Sequence, residues 1–530
     1  MFQGSARRRE PNVAQQFGRR LLDDMPLITL IRPPCAVGRF ALTLNLTPPL
    51  SVACLAGSLT AAHFDVEIID AVGEGVAMIR PGYHDNVLVN GLETNAIVDR
   101  IDPSTSLVGI SCMFSTDWPV VRDIIAAVDR KFPGVPIVCG GEHPTAAPEH
   151  ALRSAPALVA CALGEGEETI VDVARAITTG KNLVDVPGLV VRTREGFVRT
   201  GARVRIRDID AIALPRWDLT PIETYLRGGY SFGVNRGRTM PIVATRGCPY
   251  QCSFCSSPQM WTTRYATRTP SRVVDEIASY VRRYDAENID FYDLTAIVRK
   301  DWIVSFCDEL LRRRIDITWQ LPSGTRSEAI DDDVARLLYR SGCRNVSYAP
   351  ESGSKRTLKA IKKKVNLERM DASMRASVRE GLNVKANILV GFPEETHEEI
   401  LETLRFVAQM ATAGVHDVSL WTFSPYPGSE LFDALVAQGR IGEMDDDYFA
   451  ALLSYSDLAG AVSWSSNVSS EALRAYRLFG MTMFYAVSFG MRPWRLAKLA
   501  SNVFTGRYES RLEMSLANLG RKLSLAWGLS

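Results

Sequence analysis

The stretch TRGCPYQCSFC, residues 245–255, holds three of the ten cysteines of the chain. Cys248, Cys252 and Cys255 follow the spacing C-x3-C-x2-C, and the apolar run 241–245 that leads into them is typical of a strand. Three thiols this close together on a turn can all face one centre, which suits thiolate ligation of a metal or cluster. The spacing therefore marks a candidate metal site at the end of a strand.

A zinc ion or a disulfide explains this pattern less well. A structural zinc site needs a fourth ligand, but the next cysteine, Cys307, lies 52 residues beyond Cys255, and no histidine follows within zinc-finger range. A disulfide would leave one of the three thiols over. The pattern favours an iron–sulfur cluster held by three cysteines, with one iron open to another ligand.

The motif resembles that of the radical S-adenosylmethionine (SAM) enzymes, because an aromatic residue, Phe254, stands directly before the last cysteine. The resemblance implies that Cys248, Cys252 and Cys255 hold a [4Fe–4S] cluster. It also implies that the amino and carboxylate groups of SAM chelate the fourth iron, with Phe254 near the adenine.

Composition limits the classes of protein to consider. A chain of 530 residues suggests two or three domains, and a net charge of +1 gives no argument for nucleic acid. No apolar run suited to a signal peptide follows the first arginines, and none reaches the roughly 18 residues of a membrane span. Ten cysteines without a secretion signal indicate a reducing compartment. We therefore expect a cytoplasmic protein.

Strand-like and helix-like patterns alternate twice along the chain. The first alternation predicts a doubly wound, Rossmann-like parallel sheet, and the second, with six strands, a partial (β/α)6 barrel, so the fold class is α/β. Residues 204–210 alternate apolar and charged positions, which predicts a short exposed strand. The predicted segments are 1–25, a disordered basic arm; 26–199, the Rossmann-like domain; 200–239, a linker; 240–435, the barrel; and 436–530, a helical C-terminal region.

Glycine-rich loops follow two strands of the first sheet, at 140–145 (GGEHPT) and 164–169 (GEGEET). Glycine lets a ligand approach the backbone closely, and no G-x-G-x-x-G opens the first helix, so a dinucleotide site is not favoured. The order and loops are similar to the cobalamin-binding domain found in front of radical SAM domains; ordinary tight turns are the equally weighted alternative. The residues implied to line the cobalamin are Ser111, Ser115, Thr116, Gly140, Gly141 and Glu165.

His143 stands in the first of these loops. The Asp-x-His-x-x-Gly motif of cobalt-ligating histidines is absent, so we expect a hydrogen-bonding loop histidine rather than a cobalt ligand.

The strand ends of the second alternation carry the other implied site residues. By position they are the SAM-contacting Asp293, Arg326, Glu351, Ser352 and Asn387, with Gly391-Phe392-Pro393 beside the adenine. Many relatives have Asp-Asp where this chain has Asp293-Leu294, which leaves the role of Asp293 open. The run 362–364 of three lysines is interpreted as a solvated helix face without function.

Together these parts resemble the cobalamin-dependent radical SAM enzymes, which include class B methyltransferases and proteins similar to anaerobic magnesium-protoporphyrin monomethyl ester cyclase. The resemblance implies that a 5′-deoxyadenosyl radical abstracts hydrogen from an unactivated carbon and that methylcobalamin then delivers a methyl group. An oxidative cyclase or hydroxylation-type enzyme acting on a tetrapyrrole is the first alternative, and a non-catalytic cobalamin or redox sensor is an alternative of another class. A methylthiotransferase is disfavoured, because the other cysteines are dispersed.

The expected partners are a small-molecule or lipid-like substrate and an external electron donor such as flavodoxin or ferredoxin, without nucleic acid. In the C-terminal region cations interleave with Trp494, Phe504 and Trp527. This pattern fits a helical cap on the barrel mouth or a peripheral membrane contact, so membrane association of a cytoplasmic protein is the second expectation for its location.

Overall fold

The computed structural model describes residues 25–41, 46–325, 329–457 and 460–526. The predicted basic arm, 1–25, falls outside these residues except for its last position and stays a prediction. The predicted Arg326 and Trp527 also lie outside the described residues.

A seven-stranded sheet forms the centre of the N-terminal half. Five adjacent strands, including the one at the far edge, are parallel and largely apolar, as expected for strands covered by helices on both faces. Two antiparallel strands extend one edge. The strands, in spatial order, are Gly196–Arg199, Leu189–Thr193, Leu158–Ala162, Ile137–Gly140, Thr105–Ser111, Leu27–Arg32 and Asp65–Asp70.

Helices connect these strands and cover both faces of the sheet. They are Leu50–Ala61, Ala71–Glu74, Thr94–Val98, Trp118–Lys131, Glu142–Ala146, Pro148–Ser154 and Glu167–Thr178. A small antiparallel sheet that the sequence analysis did not predict pairs Cys35–Gly38, Val87–Asn90 and Ile79–Pro81. Its strands are four residues or shorter, too brief to give a period-two pattern.

The predicted linker contains one helix, Ile222–Gly228, that the sequence analysis missed. The strand predicted at 204–210 is wrong: these residues pair with no strand among the described ones. The backbone N–H of Ile206 instead donates to the carboxylate of Glu165 at 3.0 Å. A side-chain acceptor has therefore replaced the neighbouring strand.

A six-stranded parallel sheet forms the second half, with its strands in chain order. They are Thr239–Ile242, Asn288–Phe291, Thr318–Thr325, Cys343–Glu351, Asn383–Val390 and Asp417–Thr422. The helices between them are Ser257–Trp261, Pro270–Tyr284, Lys300–Arg313, Asp332–Arg340, Lys355–Ala360, Leu367–Arg379 and His397–Ala413. A short ribbon of Thr245–Arg246 and Ala266–Thr267 stands at the carboxyl end of the first strand.

The C-terminal region is helical. Helix Ser470–Met491 packs against helix His397–Ala413 and strand Asp417–Thr422, so it covers the edge of the partial barrel. The remaining helices are Glu430–Ala437, Asp446–Leu452, Trp494–Thr505 and Arg511–Ala526. No described helix combines the length and apolarity needed to cross a bilayer. The predicted fold class, with a Rossmann-like half, a partial barrel and C-terminal helices, is confirmed; the exact domain boundaries stay predictions.

Asp417 ties the last helix to the amino end of the barrel. Its buried carboxylate accepts from the backbone N–H of Arg511 at 2.7 Å and lies 3.4 Å from that of Leu512, at the start of the helix. Unpaired N–H groups at a helix start are costly when they are buried.

We therefore expect Asp417→Ala to lower the free energy of unfolding by about 1–3 kcal/mol, measured by urea denaturation. The exposed Asp185 supplies a control, and Asp185→Ala should change it little. Equal stabilities of the two variants would contradict this role of Asp417.

Candidate functional site

The three cysteines lie in the loop between the ribbon strand Thr245–Arg246 and the helix Ser257–Trp261, and all three are partly buried. The loop turns on itself, since the backbone N–H of Cys255 donates to the carbonyl of Cys252 at 3.1 Å. The backbone of Ser253, which follows Cys252, is held by two hydrogen bonds. Its N–H donates to the carbonyl of Ile361 at 3.0 Å, and its carbonyl accepts from the N–H of Leu431 at 2.9 Å. The barrel thus holds this loop at its carboxyl end.

Gly247 explains how the chain enters the loop. Its φ of 84° lies in the left-handed region, and a Cβ here would clash with the carbonyl oxygen of Arg264 in the hairpin that closes the loop. Only glycine satisfies both constraints.

The thiols and nearby hydroxyls fit a cluster with a further ligand. Burial raises the pKa of the Cys255 thiol to about 12, and the positive charge of iron would reverse this by favouring the thiolate. Among the described side chains, no three His, Cys, Asp or Glu converge on a single metal-ion position. A [4Fe–4S] cluster does not require such convergence, because each cysteine binds a different iron. The hydroxyls of Ser253, Ser257 and Thr295 are buried without a hydrogen-bond partner within the fold, which leaves polar atoms near the loop available to a ligand.

Phe254 meets the barrel residues that the resemblance assigned to SAM. Its ring lies 5.8 Å from that of Phe392, centroid to centroid. The Nζ of Lys363 lies 6.0 Å from the centroid of Phe254 and donates to the carboxylate of Glu351 at 2.8 Å. The interpretation of the lysine run as a solvated face is wrong for Lys363, whose side chain is 11% exposed. Lys362 is exposed, as expected.

Glu351 ends its strand in a strained conformation. Its φ of 66° is rare for a residue with a side chain. The hydroxyl of Ser352 next to it is buried and bonds Thr403 at 2.8 Å and the N–H of Ser354 at 3.0 Å. The SAM contact of Ser352 stays a prediction, with its hydroxyl already engaged within the fold.

Asp293 holds the backbone just before the cysteine loop. Its buried carboxylate accepts from the N–H of Ala244, 3.2 Å from either oxygen, just before the cysteine loop. Desolvation raises its pKa to about 6. Asn387 is half-buried on its strand and lies opposite Ser419 in the neighbouring one. The SAM contacts of both residues stay predictions.

Glu395 is a residue that the sequence analysis missed. Its carboxylate accepts from the backbone N–H groups of Gly391 at 2.6 Å and Phe392 at 3.3 Å, and so fixes the turn beside Phe254. The available signal was a glutamate four positions after the glycine of a Gly-Phe-Pro turn.

The loops of the first sheet hold the residues predicted to line cobalamin. The Ser111 hydroxyl lies 3.1 Å from that of Ser51, and the hydroxyl of Ser115 lies 3.0 Å from Nδ1 of His143. The carbonyl of Thr116, which is itself buried, accepts from the hydroxyl of Tyr83 at 2.8 Å. Their contacts with cobalamin stay predictions.

The two glycines differ in what they permit. A Cβ on Gly140 would come only within 3.6 Å of Ala162, whereas one on Gly141 would clash with the carbonyl oxygen of Cys112. Gly141 has a φ of 119°, so it is required by the neighbouring loop whether or not a ligand binds. Gly140 leaves room above the strand end.

His143 makes a hydrogen bond, as expected, but it lies in the short helix Glu142–Ala146 rather than in a loop. It is buried, its ring centroid lies 4.9 Å from that of Trp118, and desolvation lowers its pKa to about 3. Its Nδ1 bonds Ser115.

Glu165 takes part in a buried ionic network between the two halves. Its carboxylate pairs with Arg205 and with Arg246, each at 3.3 Å. Arg246 also bonds Glu167. The centroid of the Trp261 ring lies 5.7 Å from the guanidinium carbon of Arg205 and 5.9 Å from that of Arg246. Arg246 stands two residues before Cys248, so this network anchors the cysteine loop to the first sheet; the cobalamin contact of Glu165 stays a prediction.

Further contacts join the two halves on the other side of the cysteine loop. Glu142 directly follows Gly141, and its carboxylate accepts from the hydroxyl of Ser256, the residue after Cys255. The hydroxyl of Thr145 lies 3.4 Å from the sulfur of Met260 and accepts from the N–H of Gly164 at 3.0 Å. Loops at the carboxyl ends of the two sheets therefore meet at one junction.

A partial parallel barrel with a three-cysteine loop at the carboxyl end of its first strand defines a radical SAM protein. The model of the radical SAM superfamily matches residues 242–407, and that of the B12 binding domain matches residues 40–174. The chain belongs to the radical SAM enzymes that carry a cobalamin-binding domain. Its cofactors are a [4Fe–4S] cluster, SAM and cobalamin, which confirms the predicted set.

Relatives span most of the chain. An uncharacterized methyltransferase of Pyrococcus horikoshii is 28% identical over 423 residues, 79% of this chain and 85% of that one. Anaerobic magnesium-protoporphyrin IX monomethyl ester cyclase of Rubrivivax gelatinosus is 28% identical, over 73% of this chain and 66% of the cyclase. Cytidylyl-2-hydroxyethylphosphonate methyltransferase of Streptomyces wedmorensis is 27% identical, over 79% and 84%.

Solved structures share the fold. The radical SAM methyltransferase TsrM from Kitasatospora setae, with tryptophan and a SAM analogue bound, aligns with a TM-score of 0.60 at 20% identity, over 78% of this chain and 76% of TsrM. The cobalamin-dependent radical SAM enzyme OxsB aligns with a TM-score of 0.60 at 18% identity, over 79% of this chain and 56% of OxsB.

Glu395 makes a pH-dependent contribution to stability. Desolvation raises its pKa from 4.5 to about 7 in the folded protein. The folded state therefore holds an extra proton between these values, and stability falls as pH rises through this window.

We expect Glu395→Gln to remove that fall. From about pH 5 to about pH 8, the free energy of unfolding of the variant should gain up to about 3 kcal/mol relative to the wild type, measured by urea denaturation. Glu394→Gln, at the exposed neighbouring position, is the control. A difference between Glu395→Gln and wild type that is constant with pH would contradict the raised pKa.

Proposed function

We propose that this enzyme is a C-methyltransferase that methylates an unactivated carbon of a small-molecule substrate. The observation that carries the proposal is the junction at which loops of the cobalamin domain bond residues on both sides of the cysteine loop. Two cofactors that act on one carbon must face a common space, and this junction brings their two domains together. The matched methyltransferases agree with this assignment.

The residues divide into those that would hold cofactors and those that position them. Cys248, Cys252 and Cys255 would hold the cluster. Bound there, the cluster and SAM supply the reductive SAM cleavage that activates a C–H bond, and cobalamin supplies the methyl group. Phe254 offers an apolar face beside the cysteines, and Glu351 offers a carboxylate that can accept from ribose hydroxyls.

Lys363 positions that carboxylate. Its ammonium lies between the Phe254 ring and Glu351, and both charged side chains are about one-tenth exposed. The ion pair orients the Glu351 carboxylate as an acceptor in a site that excludes most water. Asp293 and Glu395 fix the backbone on either side, at Ala244 and at the turn beginning with Gly391.

The proposal includes an external one-electron donor such as flavodoxin or ferredoxin. Of the seven cysteines outside the motif, all but Cys54 are buried, and Cys112, Cys139 and Cys161 lie close together at the strand ends of the first sheet. Burial raises the pKa of these three thiols, as expected of core thiols rather than of a second cluster site. The electron for the cluster is therefore expected from outside the chain, and a methylthiotransferase stays disfavoured.

An oxidative cyclase or hydroxylation-type reaction on a tetrapyrrole is the second candidate. The cyclase of Rubrivivax gelatinosus is as similar to this chain as the first methyltransferase, at 28% identity. The two candidates differ in the fate of the SAM methyl group, which reaches cobalamin and then product only in methyl transfer. The sensor hypothesis is not supported, because the chain belongs to a family of enzymes.

We expect the anaerobically reconstituted, reduced enzyme with cobalamin bound to form 5′-deoxyadenosine from SAM. Cys252→Ala should reduce formation to the level of the mixture without protein, because one iron loses its ligand. Cys307→Ala removes a buried thiol of helix Lys300–Arg313 and should leave formation unchanged. Product would be measured by liquid chromatography with mass spectrometry, using SAM labelled at its methyl carbon.

Label on the cobalamin recovered from the protein would support methyl transfer. Formation of 5′-deoxyadenosine with unlabelled cobalamin would favour the cyclase-type reaction. Undiminished formation by Cys252→Ala would contradict the assigned cluster site.

A further inference from the structure

Two C-terminal helices, Ser470–Met491 and Trp494–Thr505, expose an unusual number of large apolar side chains. Phe504 is 93% exposed and Trp494 is 64% exposed. We name this surface the C-terminal apolar face and define it by Leu478, Phe479, Met491, Trp494, Leu496 and Phe504. Large contiguous apolar surfaces on a folded protein mark interaction sites.

The second helix carries apolar side chains on both of its sides, with Leu499 and Val503 half-buried. None of its described residues is buried. Arg495 points inward and donates to the carbonyls of Gly414 at 2.7 Å and Val415 at 3.1 Å. Pro493, Trp494, Leu496, Ala497, Ala500 and Phe504 all face solvent. A surface helix ordinarily turns its apolar side to the core and a polar side to water, so the apolar outer side of this helix is suited to an apolar partner.

The face continues without charge along the first helix. Thr482, Ala486 and Gly490 are exposed and lie about one turn apart, between Phe479 and the second helix. The charged residue within 475–491, Arg477, is buried and donates to the carbonyl of Gly460 at 2.8 Å. Its charge is therefore withdrawn from the surface.

Cations border this face. Arg474, Lys498 and Arg507 are exposed at its ends and side, with Lys498 in an ion pair with Glu509 at 2.6 Å. Over residues 470–518 the chain carries seven arginines and lysines against three glutamates, and two of the arginines, Arg477 and Arg495, are turned into the fold. An apolar helix surface with aromatic side chains and a basic border is the pattern of helices that lie in the interface of an anionic membrane.

We propose that the C-terminal apolar face binds the surface of an anionic lipid bilayer. A second copy of the chain is less suited to the same face, because a two-fold dimer would bring two identical basic borders together. Phe504 and Trp494 are strongly exposed on the outer side of their helix, which suits insertion between lipids more than packing on a rigid surface.

The contacts of its two helices locate the face on the barrel. Gly414 and Val415 directly precede the strand Asp417–Thr422, so Arg495 contacts the amino ends of the barrel strands. The cysteine loop lies at the opposite, carboxyl end. The first helix begins near the carboxyl ends, where Leu473 lies against Gly391. The face therefore runs along the side of the barrel, and its second helix lies at the end away from the cysteine loop.

The test is co-sedimentation of the full-length, cofactor-loaded protein with vesicles of phosphatidylcholine, with and without phosphatidylglycerol. The wild type should bind the vesicles that contain phosphatidylglycerol more strongly, and added salt should weaken this binding. The double variant Trp494→Ser, Phe504→Ser should bind at least about tenfold more weakly, because two apolar side chains no longer enter the interface.

A matched double variant, Met78→Ser with Val204→Ser, changes apolar side chains that are 51% and 71% exposed elsewhere on the molecule and should bind as the wild type does. Absence of wild-type binding to either kind of vesicle would overturn the proposal. The proposal would also be overturned if light scattering showed that the wild type is a dimer, that the Trp494→Ser, Phe504→Ser variant is a monomer, and that neither protein binds vesicles. The measurement needs no turnover, so it is independent of the proposed methyl transfer.

Discussion

The structure depends on the buried pairing of Arg246 with Glu165 and Glu167. The carboxylates belong to the glycine-rich loop and helix of the first sheet, and the arginine stands directly before the cysteine loop of the barrel. Taking these charges out of water costs free energy that is offset only when they are well paired, and Arg205 completes the pairing of Glu165. The network consequently fixes one half against the other where the cofactors must meet.

Both sheets present their ligand-binding ends to this junction. In open α/β sheets and in parallel barrels, ligands lie outside the carboxyl ends of the strands. Here the two ends are joined on one side by Arg246 and on the other by the bond between Glu142 and Ser256. The strained φ of Glu351 and the unpartnered hydroxyl of Thr295 lie at strand ends of the same barrel. Strain and unpaired polar atoms at one place indicate a site shaped for a ligand rather than for stability.

Local pattern was enough to predict the fold and the three cysteines. The alternation of strands and helices is a short-range signal, and the cysteine spacing is contained in eight residues. The roles of Glu165, Lys363 and Glu395 required the structure. Glu165 meets its partner Arg246 across 81 positions of sequence, so spacing carries no information about that pair. The strand predicted at 204–210 failed for the same reason, because Glu165 satisfies the backbone of Ile206.

The central claim is that cobalamin and the cluster meet at the junction between the two halves. The most direct test is pulsed electron paramagnetic resonance of protein loaded with both Co(II) cobalamin and the reduced cluster. The account predicts a dipolar interaction between the two spins that is absent from protein loaded with either cofactor alone. Full loading of both cofactors without any interaction between the spins would place them in separate sites and contradict the account.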